Sequence, residues 1–143
     1  MIPADTDTVS VFFYGLFMDH QRLTEKGIKA SDPRLAWVAD YRLSIGQRAT
    51  LLPAAGFRAH GVVVSLSQID LDRLYADPSV ADYVAETVSA VYEGGESQLA
   101  RCYNLPESRL TGSNPEYARA LLQLAEQLGL PSDYLGQIRQ FLA

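Results

Sequence analysis

Apolar residues fall along this 143-residue chain in short bursts over most of its length and in a helical stripe near its end. Val9 to Tyr14, rich in Val and Phe and broken by Gly15, reads as a buried strand running into a tight loop. Asp19 then caps a short helix through Leu23, and Ser31-Asp32-Pro33 signals a turn before the next regular element. Trp37 to Ser44 and Arg48 to Leu52 read as two short antiparallel strands, with Gly46 between them and Pro53-Ala54-Ala55-Gly56 closing the second. Gly61 to Leu66 holds three consecutive valines, the mark of a strand covered on both faces, and Ser67 with Asp70 offers capping for a short helix through Tyr75. Tyr83 to Tyr92 and Leu99 to Leu105, joined through Glu93-Gly94-Gly95-Glu96, form the clearest hairpin.

From Asn114 the period becomes helical. Asn114 is an N-cap and Pro115 the first helical residue. Tyr117, Leu121, Leu124, Ala125 and Leu128 share one face before Gly129. Pro131-Ser132 restarts a shorter helix ending in Ile138, Phe141 and Leu142. Strands first and helices last, with no βαβ alternation and no internal repeat, predict an α+β fold on a small curled sheet or barrel.

Composition narrows the picture. With 143 residues, 48% of them hydrophobic and 20% charged, residues 1–143 are expected to make one domain with a real core. A net charge of -5 argues against nucleic acid or an anionic membrane as the main partner. One cysteine and two histidines cannot build a three-histidine or cysteine-rich metal site, so no metal is expected. The opening MIPADTDT carries acid where a secretory leader carries base, and no apolar run approaches the ~20 residues of a membrane span. A cytoplasmic location is therefore expected. Oligomeric state is open, with apolar strand edges able to pair two chains as a homodimer.

Candidate chemistry is sparse. Cys102 sits inside an alternating strand and no Gly-x-Ser-x-Gly elbow exists, so the thiol reads as buried and structural. His20 and His60 are assigned no role, and no nucleotide fingerprint follows any strand, so no cofactor is expected. The Tyr14-Gly15-Leu16 turn either presents successive N–H groups to a carboxylate or simply lets the chain enter the helix. Among Asp70, Asp72, Asp77, Asp82 and Glu86, most belong to a solvated face or to caps, and a general base needs only one that is partly buried.

Five pieces recur in a telling order: Phe12-Phe13-Tyr14-Gly15 with Met18; Ala49-Thr50-Leu51-Leu52-Pro53; Gly61-Val62-Val63-Val64; the helix ending at Leu74 and leading to Tyr83-Val84-Ala85-Glu86-Thr87-Val88; and Asn114-Pro115-Glu116-Tyr117 through Leu128-Gly129-Leu130-Pro131 and Tyr134. Together they resemble the γ-glutamyl cyclotransferase family over nearly the whole chain: its YGS/YGT loop, the strand that follows, its GVV strand, its post-catalytic strand and its SPxY … GLPxxY segment. The resemblance implies a small mixed β-barrel with flanking helices, including C-terminal ones. It also implies conversion of γ-glutamyl amines to 5-oxoproline and free amine. In such a reaction the substrate's own α-amino group attacks its γ-carbonyl, and the protein adds a carboxylate to move protons. By the same resemblance Phe12, Tyr14, Gly15, Leu16, Tyr83 and Tyr117 contact substrate, and no metal or cofactor takes part.

Two positions depart from the pattern. The family's Glu-Gly is absent; the window reads Ala76-Asp77-Pro78-Ser79, with Pro78 at the glutamate position, which leaves Asp77 as the provisional base. Leu16 replaces a small hydroxyl residue and narrows the pocket. Two readings stand: a cyclotransferase using Asp77 on a γ-glutamyl amide, or an inactive member of the fold that binds a small anionic ligand or a protein partner.

Overall fold

The first apolar burst forms strand β1 (Thr8–Phe13), in which Val11, Phe12 and Phe13 are all buried. In the computed structural model, which describes residues 8–142, β1 pairs antiparallel with the second half of β3 (Ala49–Ser67), from Thr8↔Ser67 to Phe13↔Val62. It meets β5 (Ser97–Asn104) in parallel at Val11↔Arg101. With β2 (Ser31–Ile45) and β4 (Val84–Tyr92) the strands close into a barrel in the order β1-β3-β2-β4-β5. Closure covers most strand edges, while β2 pairs with β4 only over Ala36–Val38, so the rest of β2 pairs with β3 alone.

β2 and β3 are longer than expected. The residues Ser31-Asp32-Pro33 do not precede a strand; they lie inside β2, at a register shift where Asp32 takes a positive φ of 53°. Likewise Pro53 to Gly56 does not end a strand, so the pieces 48–52 and 61–66 belong to one β3. There the register shifts between Ala39 and Tyr41, Asp40 has φ 64°, Gly56 has φ 86°, and the Gly56 N–H donates to the Asp40 carboxylate at 3.0 Å. Proline and positive-φ residues are tolerated in sheets at such bulges, which bend a strand without ending it. That bend lets two long strands wrap a small barrel.

The β4/β5 hairpin pairs as predicted, Val84↔Asn104 to Val91↔Ser97. Ala100, Cys102 and Asn104 face inward, while Leu99 is exposed. Burial pushes the Cys102 thiol up to about 12, in keeping with an inert structural cysteine.

Among the described residues four α-helices flank the barrel. The Asp19 carboxylate caps α1 (His20–Glu25) and the Ser67 hydroxyl caps α2 (Gln68–Leu74). Asn114 caps α3 (Pro115–Leu128), which Gly129 ends in the left-handed conformation before α4 (Ser132–Arg139). Ala118, Leu121 and Ala125 of α3 are fully buried, as are Tyr134 and Ile138 of α4, to within 1%. The Asn114 amide also donates to Gln47 O at 3.1 Å, and Gln47 N donates to Thr111 O at 2.7 Å, which holds the start of α3 against the β2–β3 turn. Among the described residues no helix is long and apolar enough to cross a membrane.

Candidate functional site

One end of the barrel opens into a cavity of about 560 Å³, within the size range of small-molecule sites. The end of β1, the turn after it, α1, the start of β3, the segment 75–83, Tyr103 and Tyr117 all contribute to its wall. Five of the chain's eight tyrosines and three of its five phenylalanines line it.

The turn begins where β1 runs out. Met18 N donates to Gly15 O at 3.0 Å, closing a short 3-10 turn over Leu16–Met18. Tyr117, brought in by the first turn of α3, lays its hydroxyl over Gly15 and accepts a hydrogen bond from Leu16 N–H at 3.3 Å. A Cβ on residue 15 would sit 2.5 Å from that hydroxyl oxygen, so glycine is required here by close approach. Because the Tyr117 oxygen is acting as acceptor, its own proton remains to be donated. Burial pushes the Tyr117 hydroxyl up, while the Leu16 N–H and the charge of Arg22 pull it back. The hydroxyl is a neutral donor at neutral pH.

Tyr14 and Tyr83 are occupied differently. Tyr14 donates to Tyr103 O at 2.8 Å and Tyr83 donates to Ala49 O, so both protons tie the barrel mouth together. Burial raises both hydroxyls. Tyr75, Tyr103 and Phe17 form an aromatic wall: Tyr75 stacks on Tyr103 with centroids 3.9 Å apart and an 11° tilt, and Phe17 meets Tyr75 edge-on at 6.4 Å. The latter three rings are only partly buried.

Charge is distributed unevenly. On a chain of net charge -5 the cavity wall carries Arg22, Lys26 and Arg48 against a single carboxylate, Glu25. Arg48 is already engaged: it grips Asp82 with both nitrogens, at 2.7 and 2.9 Å, and donates to Ser79 O at 3.1 Å. Its guanidinium, with Arg109 3.6 Å away, holds the Asp82 carboxyl down to about 2. Among the described residues, Arg22 has one long, exposed contact with an acid, Asp19 at 3.9 Å.

The structure brings Phe12, Tyr14, Gly15, Leu16, Tyr83 and Tyr117 together around this cavity. It does not bring Asp77 with them. Asp77 is exposed and outside the lining; its carboxylate accepts from Ser79 N at 2.9 Å and Ser79 Oγ at 2.8 Å, an Asx turn that holds it below the usual carboxylate range. It touches the cavity only through Ser79, whose side of the loop lines it. Asp77, expected as the base, thus lies outside the cavity lining, two residues from Ser79, which is part of it. Sequence reasoning also missed Phe17, Arg22, Glu25, Lys26, Arg48, Tyr75 and Tyr103. The four-residue spacing of Arg22 in α1 and Lys26 at its C-cap was the one local signal.

No family model matches the chain, and no curated protein matches it in sequence. Its fold does have solved counterparts. A γ-glutamyl cyclotransferase superposes with a TM-score of 0.74 at 20% identity, over 94% of this chain and 88% of that one. A yeast γ-glutamyl cyclotransferase specific to glutathione gives 0.68 at 14% identity, over 95% and 96%. YkqA from Bacillus subtilis gives 0.79 at 21% identity, over 95% of this chain but 54% of its own length. At such identities the likeness is one of fold: the chain has the small α+β barrel of γ-glutamyl cyclotransferases.

Proposed function

We propose that this chain binds a small, carboxylate-bearing molecule in the barrel-end cavity and does not cyclise it. The observation that carries this reading is the placement of the acids: Asp77 lies in solvent, Pro78 occupies the position where the fold's catalytic glutamate was expected, and among the described residues no carboxylate lines the cavity except exposed Glu25. What remains is a grip without an inner base. The Leu16 N–H holds the Tyr117 oxygen, so the Tyr117 proton is the donor left for the ligand's carboxylate, Arg22 adds charge to the same wall, and Phe12, Tyr14 and Tyr83 frame the rest.

The test incubates the protein with γ-glutamyl amino acids, γ-glutamyl amines and glutathione. Thermal stabilisation by at least one of them without release of 5-oxoproline is the expected outcome. Turnover would overturn the reading, as would a melting temperature that none of them moves.

Glu25 favours a second reading. As the one acid on the wall, it would take a proton from the substrate's α-ammonium, freeing the amine to attack the γ-carbonyl, and would return a proton to the departing amine as the C–N bond breaks. Loss of 5-oxoproline release in Glu25→Gln, with binding intact, would favour this reading over the first.

A further inference from the structure

From the wall of the cavity we infer the class of ligand it takes: a carboxylate joined to an aromatic or similarly flat apolar group, with Arg22 reading the carboxylate and the Phe17–Tyr75–Tyr103 wall receiving the ring. The inference rests on the binding role proposed above and makes it specific.

Size comes first. A cavity of about 560 Å³ leaves room well beyond a glutamyl head. The material around that extra room is aromatic, and Phe17, Tyr75 and Tyr103 remain partly buried though they pack on the core. Half-covered rings converging on one concavity are apolar surface that a ligand can take out of water, and aromatic partners add offset or edge-to-face contacts. The Tyr75–Tyr103 stack and the edge-on Phe17 fix these rings before any ligand arrives, so little side-chain ordering remains to oppose binding.

Charge comes second. Of the three cations on the wall, Arg48 is neutralised by its bidentate bond to Asp82. Arg22 shares the cavity wall with Gly15, Leu16 and Tyr117, and among the described residues its one acidic contact is the 3.9 Å approach to Asp19. A guanidinium offers a fork of donors that fits a carboxylate, and with the Tyr117 hydroxyl proton on the same wall it makes a donor set that a neutral amide would satisfy poorly. Lys26, at the C-cap of α1, keeps the same sign on the wall and favours anions in approach.

The experiment measures binding of three probes by calorimetry: γ-glutamylphenylalanine, γ-glutamylalanine, and γ-glutamylphenylalanine with its glutamyl α-carboxylate converted to the carboxamide. Each is titrated into the wild-type protein, into Arg22→Gln, whose exposed site makes folding safe, and into Tyr75→Leu, which keeps apolar bulk without a ring. The wild type is expected to bind the phenylalanine compound about tenfold more tightly than the alanine compound, and to lose about tenfold or more on amidation. Arg22→Gln should bind acid and carboxamide nearly alike, and Tyr75→Leu should narrow the phenylalanine preference. Equal affinity for the alanine and phenylalanine compounds, or an amidation penalty unchanged in Arg22→Gln, overturns the inference while leaving the binding role standing. Absence of heat and of thermal stabilisation with all three overturns both.

Discussion

Tyr117 and Gly15 are the smallest unit on which the binding account stands, because each makes sense only with the other. Tyr117→Phe removes the acceptor for Leu16 N–H and the spare donor for a ligand while keeping the ring, so affinity should fall about tenfold with little change in melting temperature. Gly15→Ala forces the hydroxyl away from the turn and should lose affinity to a similar degree. A ligand bound equally well by both variants would place the grip elsewhere. Asp82 yields a prediction in pH. Its carboxyl is more acidic folded than unfolded, because Arg48 holds its charged form. Its contribution to stability is therefore complete above about pH 4, the unfolded carboxylate range, and fades as pH falls toward about 2. The gap in melting temperature between wild type and Asp82→Asn should be present at pH 7 and shrink over that acid window. A gap that ignores pH would mean the pair is not what holds the 75–83 segment to the start of β3.

At the scale of elements, the caps and the hairpin were legible because their determinants are local: Asp19, Ser67, Asn114 and Gly129 act within a few residues of themselves. The lengths of β2 and β3 were not. Pro33, Pro53 and Gly56 do carry a true signal of irregular backbone, but whether that irregularity ends a strand or bends it depends on partners far along the chain, such as Asp40 for Gly56. The site divides in the same way. The residues of the YG turn and Tyr117 could be read from motif order, whereas the aromatic wall and the cations of α1 converge only once the barrel closes, and no short-range pattern encodes that. Asp77 was the nearest acid in sequence, yet its own hydrogen bonds to Ser79 turn it outward. The bulge can be tested directly. Gly56 has φ 86° and open space where a Cβ would go, so Gly56→Ala should cost about 1 kcal/mol through backbone strain alone, read by denaturant unfolding. In Gly61→Ala the new Cβ runs into the Phe13 carbonyl and the Phe12 ring, and a larger loss, about 1–3 kcal/mol, is expected. Equal costs at the two positions would contradict the assignment of one to strain and the other to packing.

For the whole molecule, the barrel supplies a rigid frame, and its open end collects a polar turn, an aromatic wall and a cationic rim on an otherwise acidic protein. The fold is that of γ-glutamyl cyclotransferases, but a fold hosts chemistry only where its site keeps the reacting groups, and among the described residues the one acid on this wall is the exposed Glu25. Ligand binding should weaken as salt rises, since the rim acts on anions through solvent. The most direct trial of the account is a proton NMR titration of γ-glutamylphenylalanine with the protein, following ligand and product in one sample. Saturation transfer from protein to the ligand's ring and glutamyl protons, with no 5-oxoproline signal growing in over prolonged incubation, is the predicted result. Growth of 5-oxoproline, or a ligand spectrum that the protein leaves untouched, would contradict it.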